Sequence, residues 1–320
     1  MRTPRPEQPI SSPQTLPQRA PDGHKGTFGT VLVIGGCAAS PRMIGAPALV
    51  SKAALRAGAG LVRVAAPEPI INCVLTINPS ATGIPLPADA SGRLQFRAAR
   101  AALARDLASA DAVVAGPGLG RSRAARDLIR HVLAHGRAPI VLDADSLHSL
   151  PGTHRGRHAL SRCVLTPHPG EFRSLAERLG LDCDPVSPES RPAAAASLAR
   201  ALGCVVVLKG ASTVVSCGSR MWTDATHDPA LATAGTGDVL AGLLGGLVAS
   251  THEQRSRFDL FDAACAAVQA HARAAAAWRL ARGASAGLLA SELADHIPCA
   301  LEGLRHVNPP RGARRKPRDG

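Results

Sequence analysis

A glycine-rich run that ends in a carboxylate is the strongest chemical signal in the sequence. An apolar segment, residues 239–249, is preceded directly by Gly235, Thr236, Gly237 and Asp238. The first amides of a helix have no partner within the helix and lie at the positive end of its dipole, so this run predicts an anion hole. Beside a bound phosphate, Asp238 could accept a proton from a hydroxyl group that attacks a phosphoryl group. The plainer interpretation is that Asp238 only stabilises the helix terminus, by ~0.3–1 kcal/mol.

Three other loops carry residues that suit a ligand. Residues 116–120 (Gly-Pro-Gly-Leu-Gly) follow an apolar strand and could let a ligand approach the backbone, although a tight turn would use the same residues. His168 stands between two prolines after another strand, which favours a ligand contact over a core position and leaves a capping role open. The third loop offers a cation, amides and hydroxyls to a phosphate, and it consists of Lys209, Gly210, Ala211, Ser212 and Thr213.

Two kinds of site are disfavoured. The chain has no G-x-x-x-x-G-K-[ST] motif, which excludes phosphate binding of the P-loop kind. His131 and His135, like His154 and His158, have the i, i+4 spacing of zinc ligands on one helix face. Neither pair has an H-E-x-x-H signature or a convergent third ligand, so we do not predict zinc at these histidines.

Short apolar strands that alternate with alanine-rich helices must position these loops. Continuous Val, Ile and Leu runs bounded by Gly or Pro are typical of strands buried on both faces, and their alternation with helices predicts a parallel sheet between helix layers. Predicted strands occupy residues 31–34, 61–65, 112–115, 140–142, 163–165, 205–208 and 213–216, and predicted helices occupy residues 47–57, 122–135, 236–250, 261–281 and 285–297. Such folds bind ligands at the carboxyl ends of their strands, which is where the three loops lie.

Charge and composition limit the classes of partner. The net charge is +13, but residues 1–20 carry +2 and residues 305–320 carry +5, which leaves +6 on the rest of the chain. Aromatic residues make up only 2%, with no Tyr, which disfavours a single-strand binder because such proteins stack bases on aromatic rings. A basic nucleic-acid-binding protein is kept as a remote alternative. We predict a disordered proline-rich tail over residues 1–23, one domain over 24–303 and a basic disordered tail over 304–320.

The sequence predicts a cytoplasmic enzyme. The longest apolar stretch, residues 239–249, is shorter than the ~18 residues that a membrane-spanning helix needs. The amino-terminal residues contain no apolar stretch of signal-peptide length. The eight cysteines form no C-x-x-C pair and several lie in apolar runs, so we interpret them as reduced core residues.

The chain resembles the ADP/ATP-dependent NAD(P)H-hydrate dehydratases, in the stand-alone form of the carbohydrate-kinase-like domain of the NAD(P)HX repair proteins. Seven motifs in the family's order carry the resemblance: residues 24–29 leading to 33–36, 45–46 before 53–62, 116–120, 143–145, 166–171, 209–210 and 232–238. The resemblance covers nearly the whole predicted domain. It implies a ribokinase-like α/β fold with a mostly parallel central sheet and helices on both faces.

The reaction implied by this resemblance is a metabolite repair by a lyase. The substrates would be (6S)-NADHX and (6S)-NADPHX, in which a hydroxyl group has been added to the reduced nicotinamide ring, and the products NADH and NADPH. Because hydroxide is a poor leaving group, the family phosphorylates that hydroxyl from ADP or ATP and then eliminates phosphate, which leaves AMP or ADP. Mg²⁺ would bridge the nucleotide oxygens. The alternative is a kinase of the same fold that phosphorylates a vitamin precursor and stops there.

Matched residue by residue, the resemblance assigns roles to positions of this chain. Asp238 is the implied base and also contacts the hydrated dinucleotide, together with Ala46, Gly118 and His168. The adenine nucleotide would lie against Lys209, Gly210, Ala211, Ser212, Thr213 and Gly237, and the amides of Gly235, Thr236 and Gly237 would form the anion hole. Asp143 and Asp145 would help to order the site.

The chain departs from the family pattern in front of the anion hole. Asp228-Pro229-Ala230-Leu231 stands where Asn-Pro-Gly-Met is common, and Ala234 stands where Gly is more usual. We expect these changes to bear on the donor nucleotide and on the geometry of the loop. The sequence does not decide between ADP and ATP, or between NADHX and NADPHX. The resemblance further implies an NAD(P)HX epimerase on a separate chain and a homo-oligomer, with a tetramer as one possibility.

Overall fold

Ten strands form one sheet in the part of the chain that the computed structural model describes, namely residues 8–10, 12–150 and 160–306. They are β1 (Gln8–Pro9), β2 (Thr30–Ile34), β3 (Leu61–Pro67), β4 (Thr82–Leu86), β5 (Ala112–Ala115), β6 (Ile140–Leu142), β7 (Cys163–Leu165), β8 (Val205–Leu208), β9 (Val214–Ser216) and β10 (Arg220–Thr223). The spatial order is β1-β10-β9-β8-β7-β6-β5-β2-β3-β4. The pairs β8–β9 and β9–β10 are antiparallel and the others are parallel. The prediction of a mostly parallel sheet is confirmed.

Helices cover both faces of this sheet. In the described residues they are α1 (Gly45–Arg56), α2 (Glu68–Ile77), α3 (Phe96–Ser109), α4 (Arg123–His135), α5 (Pro169–Leu179), α6 (Arg191–Leu202), α7 (Thr236–Ser250), α8 (Leu260–Arg282) and α9 (Ala290–His306). Short 3₁₀ helices occupy Ala144–Ser149, Pro229–Leu231 and His252–Gln254. No helix in residues 8–10, 12–150 and 160–306 is long and apolar enough to cross a membrane.

Alternate strand residues enter two hydrophobic cores, one on each face of the sheet. Val31 and Val33 of β2 lie in a core shared with α1, α2, α7, α8 and α9. Leu32 and Ile34 lie in a second core shared with α3, α4, α5 and α6. All four side chains are fully buried, which explains why β2 is a continuous apolar run without alternating polar residues. The predicted arrangement of helices on both faces is therefore confirmed.

The strand order reverses between β2 and β5. From β2 the chain adds β3 and β4 toward one edge, and β5, on the other side of β2, is followed outward by β6, β7 and β8. Loops that leave two neighbouring strands in opposite directions open a crevice at the carboxyl ends of the strands. The fold brings four candidate residues to the carboxyl ends of neighbouring parallel strands. They are Gly118 after β5, Asp143 after β6, His168 after β7 and Lys209 after β8.

The last helix differs from its prediction. It was predicted over residues 285–297 and is observed as α9, Ala290–His306. Gly283 and Gly287 have positive φ values of 62° and 94°. A right-handed helix cannot continue through these residues, so α8 and α9 are separate helices. At the other end, Pro298 does not terminate the helix, and Leu301 and Leu304 remain buried in the core. Burial of these leucines outweighs the local cost of an internal proline.

The described residues near both ends of the chain pack against the domain. Leu16 is 2% exposed, the Arg19 guanidinium lies 3.5 Å from the centre of the Phe28 ring, and Arg305 Nε donates to Pro17 O at 3.2 Å. These contacts fall within the two segments predicted to be disordered. Residues 1–7, 11 and 307–320 lie outside the described residues. The domain boundaries at 24 and 303 stay a prediction.

Candidate active site

The predicted anion hole lies at the first turn of α7. Gly235 is the residue before the helix and has a left-handed conformation, with φ of 89°. The first hydrogen bond across the turn runs from Val239 N to Gly235 O at 3.1 Å. The first amides of a helix have no helical acceptor, which suits the amides of Gly237 and Asp238 to an anion. The predicted hole included the amide of Thr236, but Thr236 N donates to Thr233 O at 3.4 Å. Anion binding at Gly235, Thr236 and Gly237 stays a prediction.

Close packing holds the chain in this conformation. Thr236 Oγ1 donates to the carbonyls of Leu231 and Thr233, each at 2.9 Å, and so closes the loop before α7. A Cβ atom at Gly235 would lie 2.8 Å from Leu49 Cδ1 of α1. Both the positive φ and the approach of α1 therefore require glycine at this position.

A buried ion pair lies next to the anion hole. Lys209 Nζ and Thr166 Oγ1 both donate to Asp143 Oδ1, each at 2.7 Å. The side chains of Asp143 and Lys209 are 3% and 19% exposed. A Cβ atom at Gly237 would lie 3.5 Å from Lys209 Nζ, which shows how close the pair is to α7. Burial lowers the pKa of Lys209, but the carboxylates of Asp143 and Glu171 outweigh burial and leave this pKa above its ordinary value.

Asp238 has the environment of a base. Burial, and to a lesser extent the charge of Asp143, raise the pKa of Asp238 to about 7, while Lys209 opposes the shift. A carboxyl group with this pKa is a stronger base than an ordinary aspartate and is still substantially ionised near neutral pH. The arrangement can therefore remove a proton from a hydroxyl group while the neighbouring amides hold a phosphoryl group.

The pH dependence of the reaction should report Asp238. We expect kcat/KM for the hydroxyl-bearing substrate to rise with pH through about 7, because the base must be ionised. Asp143→Asn removes a charge that raises the pKa of Asp238, so the midpoint of the rise should move to lower pH. Asp127→Asn, on the surface of α4, is the control and should leave the midpoint in place. An Asp143→Asn profile that coincides with the wild type would contradict this assignment.

The raised pKa of Asp238 also makes stability depend on pH, and stability changes in the direction opposite to kcat/KM. The folded carboxyl group of Asp238 keeps its proton up to about pH 7, whereas an unfolded aspartate loses it near ~4. Between these two values the folded state binds more protons, so the contribution of Asp238 to the free energy of unfolding falls as the pH rises.

A cavity of about 480 Å³ opens beside the ion pair. Five of the six residues predicted to hold the adenine nucleotide line it: Lys209, Gly210, Ala211, Thr213 and Gly237. Ser212 is not among the lining residues, and its carbonyl accepts a hydrogen bond from Arg191 Nε at 3.2 Å. The structure thus brings the predicted residues together, and their contact with a nucleotide stays a prediction.

Two residues that the sequence analysis did not single out shape this cavity. His271 of α8 is buried, and its Nε2–H donates to Thr236 O at 2.9 Å, which ties α8 to the first turn of α7. Burial lowers the pKa of His271 to about 4, so the ring is neutral near pH 7. Arg191 of α6 holds the loop that contains Lys209. His271 lies in an alanine-rich helix and Arg191 at a helix start, and no local motif marks either of them.

The departures from the family pattern are accommodated locally. Asp228 lines the 480 Å³ cavity, its side chain is 1% exposed, and it accepts a hydrogen bond from Ala230 N at 3.0 Å. Arg279 Nε of α8 lies 3.2 Å from Asp228 Oδ2 and compensates the charge. The Ala234 side chain is exposed, so a methyl group there meets no obstacle.

A second candidate binding surface lies between α1 and the loop after β5. Gly118 has φ of 63°, and a Cβ atom there would lie 3.2 Å from Ala46 Cβ and 2.8 Å from Met43 Cβ. Met43 also lines a second cavity, of about 420 Å³, together with Gly36, Gly120, Arg121 and Asp145. Asp145 orders its wall by accepting hydrogen bonds from Gly120 N at 2.9 Å and Arg121 Nε at 3.2 Å. Ala46 and Gly118 are thus neighbours, as a shared site requires.

A methyl group at Gly118 should impair this surface. We expect Gly118→Ala to raise KM for the hydrated dinucleotide by ~10-fold or more, because strain of ~1–3 kcal/mol adds to displacement of Met43. Gly180→Ala is a matched control, since Gly180 has φ of 65° and open space around its Cβ position. Steady-state kinetics of both variants test this, and equal KM values would show that the contact at Gly118 does not matter.

His168 takes the capping role that the sequence analysis left open. Its Nδ1 accepts hydrogen bonds from Gly170 N at 3.0 Å and Glu171 N at 3.3 Å, and His168 N donates to Glu171 Oε2 at 2.8 Å. This reciprocal arrangement begins α5. The His168 side chain remains 56% exposed. A contact with the dinucleotide stays a prediction.

The paired histidines of α4 contact each other and the backbone of the helix. The rings of His131 and His135 are stacked with their centres 4.2 Å apart, and His135 Nδ1–H donates to His131 O. Within residues 8–10, 12–150 and 160–306 no three His, Cys, Asp or Glu side chains are grouped so that they could hold a metal ion. His154 and His158 lie outside the described residues.

Curated relatives carry the names that the resemblance implied. An ADP-dependent (S)-NAD(P)H-hydrate dehydratase from Neisseria meningitidis serogroup B is 36% identical over 288 residues, which cover 88% of each chain. A bifunctional NAD(P)H-hydrate repair enzyme Nnr from Moorella thermoacetica is 37% identical over 294 residues, 90% of this chain and 52% of that protein. The chain thus spans about half the length of the bifunctional relatives that it matches.

Solved structures confirm the ribokinase-like fold. A ribokinase-like superfamily protein from Enterococcus faecalis V583 superposes with a TM-score of 0.71 at 22% identity, over 91% of this chain and 92% of that one. An ADP/ATP-dependent NAD(P)H-hydrate dehydratase from Bacillus subtilis, co-crystallised with ATP/Mg²⁺, gives a TM-score of 0.68 at 28% identity, over 91% and 95% of the two chains. A family model described as NAD(P)H-hydrate dehydratase matches residues 31–299. On this match and the Neisseria relative, the chain belongs to the NAD(P)H-hydrate dehydratase family.

Proposed function

We propose that this chain dehydrates (6S)-NADHX and (6S)-NADPHX to NADH and NADPH and couples the reaction to the cleavage of ADP or ATP. The observation that carries the proposal is Asp238, a carboxyl group with a pKa of about 7 in the first turn of the anion-hole helix. Two separate cavities, of about 480 and 420 Å³, support a reaction between two ligands. The adenine nucleotide would occupy the first and the hydrated dinucleotide would extend into the second.

Phosphoryl transfer to the ring hydroxyl is the first step. Asp238 accepts the proton of this hydroxyl while its oxygen attacks the terminal phosphorus of the nucleotide. The bond between that phosphorus and the bridging oxygen breaks, so ADP leaves as AMP or ATP leaves as ADP. The amides of Gly237 and Asp238, with Lys209 beside them, stabilise the negative charge on the transferred group.

Elimination of phosphate completes the repair. The lone pair of the ring nitrogen expels phosphate as the carbon–oxygen bond breaks, which leaves an iminium ion. The adjacent ring carbon then gives a proton to the released phosphate or to water, which restores the double bond. This chemistry belongs to the substrate and needs little from the protein beyond a dry, ordered site. Mg²⁺, if bound with the nucleotide, would neutralise phosphate charge during the transfer.

The decisive assay mixes the protein with chemically hydrated NADH, ADP and Mg²⁺. We expect the near-ultraviolet absorbance of NADH to recover, with AMP and phosphate released in step. Replacing ADP with AMP is the control and should abolish recovery. Failure of NADH to reappear with either ADP or ATP would refute the proposed reaction. A stable phosphorylated product without NADH would instead favour the kinase alternative.

Further expectations concern the surroundings of the reaction. The proposed enzyme would act in the cytoplasm, where NADH and NADPH are used. An epimerase on a separate chain would convert the other stereoisomer of the hydrate into the substrate. The homo-oligomer implied by the resemblance stays a prediction.

A further inference from the structure

Arg191 is a buried guanidinium that binds backbone carbonyls. The residue is 5% exposed and begins α6. Its Nη2 donates to Leu208 O at 2.9 Å and Lys209 O at 3.0 Å, its Nε donates to Ser212 O at 3.2 Å, and its Nη1 donates to Pro185 O at 2.6 Å. Four of the five N–H donors of the guanidinium are therefore engaged by the backbone.

Two of these carbonyls, those of Lys209 and Ser212, belong to the nucleotide loop, which we define as residues 209–213. Gly210 has φ of 149°, and a Cβ atom there would lie 2.8 Å from Arg191 Nη2, so the loop wraps closely around the guanidinium. In a trans peptide the C=O and N–H groups point in opposite directions. Because Arg191 binds the carbonyls of Lys209 and Ser212, it turns the amides of Gly210 and Thr213 away from itself. Both of these residues line the 480 Å³ cavity.

The charge of Arg191 makes this anchor strong. Burial lowers its pKa and Asp184 opposes the shift, but a guanidinium remains charged in proteins. Hydrogen bonds from a charged donor are shorter and stronger than those between neutral groups. Removal of the guanidinium would leave two carbonyls of the loop, and that of Leu208 directly before it, without their donor. The loop would then have to reorganise, or to order itself only when a nucleotide binds.

We propose that Arg191 is a positioning residue for the donor nucleotide: it sets the conformation of the nucleotide loop and thereby the affinity for ADP or ATP. The inference rests on the proposed function for the identity of the nucleotide. Arg191 acts through the backbone and not through the phosphates, because carbonyls already engage four of its five N–H donors. It therefore governs nucleotide binding and has no part in the chemistry at Asp238.

The test compares three variants by calorimetric titration with ADP and Mg²⁺ and by steady-state kinetics. Arg191→Ala should weaken ADP binding by ~10-fold or more. Without its anchor the nucleotide loop must become ordered when ADP binds, and this ordering reduces the affinity. KM for ADP should rise in parallel, while KM for hydrated NADH and kcat at saturating ADP stay near the wild type. Arg191→Lys should also bind ADP weakly, because one ammonium cannot replace the fork of donors. A direct phosphate contact would instead be preserved by Lys.

Arg162→Ala is the matched control. The Arg162 side chain donates to Leu133 O at 2.7 Å and Ala138 O at 3.1 Å. Arg162 directly precedes β7, so it lies at the amino end of this strand, whereas the candidate site lies at the carboxyl ends. It should lose stability without a change in affinity for ADP. Wild-type affinity in folded Arg191→Ala overturns the inference, and if that variant does not fold, wild-type affinity in Arg191→Lys does so. If the wild-type protein does not bind ADP, the inference about Arg191 is overturned as well. If it binds ADP but does not restore NADH, only the proposed function is refuted.

Discussion

Asp238→Asn is expected to lower kcat by about 10³-fold, within the range that a general base contributes. Asparagine has the shape of aspartate but cannot accept the hydroxyl proton. The pKa of Asp238, raised to about 7 chiefly by burial, makes the carboxylate well matched to this task. Because asparagine can occupy the same half-buried place in α7, the variant should keep its fold and its affinity for ADP. The measurements are kcat with hydrated NADH and calorimetric titration with ADP.

Asp262→Asn is a suitable control for that variant. Asp262 lies in the first turn of α8, and burial raises its pKa to about 6. Its Oδ1 lies 3.4 Å from Arg220 Nη1 of β10, and it belongs neither to the anion hole nor to the Asp143–Lys209 pair. Its replacement should leave kcat with hydrated NADH unchanged even if some stability is lost. If Asp238→Asn retained near-normal turnover, Asp238 would lose the role of base and keep only that of a helix terminus.

Lys209→Met is expected to lower the free energy of unfolding by about 3–5 kcal/mol, because it leaves Asp143 as an unpaired buried charge. The Asp143 side chain is 3% exposed and accepts hydrogen bonds from both Lys209 Nζ and Thr166 Oγ1 at 2.7 Å. The hydroxyl alone cannot compensate a buried carboxylate. Urea unfolding at neutral pH measures the loss. ADP binding should weaken as well, because Lys209 lines the 480 Å³ cavity in which we propose that the nucleotide binds.

The surface pair of Lys52 and Asp295 gives the matched comparison. Lys52 Nζ lies 3.0 Å from Asp295 Oδ2, but the two side chains are 27% and 46% exposed. Lys52→Met should therefore cost no more than about 1 kcal/mol. If Lys209→Met cost as little as Lys52→Met, the buried pair would not be a structural support of the site. The double variant Lys209→Met/Asp143→Asn should recover part of the loss, since the unpaired charge is then removed.

The central strands were predictable because burial on both faces leaves a simple signal. β6, β7 and β8 begin and end at the predicted residues, 140–142, 163–165 and 205–208, since each is a run of apolar residues next to a polar loop. β4 and β10 were not predicted. Both lie toward the edges of the sheet and are partly exposed, so their residues mix polar and apolar types without a clear pattern.

The candidate site was predictable only where its parts are local in sequence. Gly235 to Asp238 form a helix start and residues 209–213 form one loop. Each motif can therefore be recognised from a few consecutive residues. The partners that tune them are distant: Asp143 is 66 positions from Lys209, and His271 is 35 positions from Thr236. A single arginine or histidine in a helix gives no sign of the carbonyl it will meet. The raised pKa of Asp238 likewise depends on burial that arises only in the folded chain.

The fate of the hydroxyl oxygen tests the central claim most directly. Hydrated NADH prepared in ¹⁸O-labelled water carries the label in its ring hydroxyl, and the protein can then convert it in ordinary water with ADP and Mg²⁺. If the hydroxyl is phosphorylated before elimination, the bridging oxygen leaves with phosphorus, so mass spectrometry should find one labelled oxygen in each released phosphate. Unlabelled phosphate, with the label in water, would contradict the account.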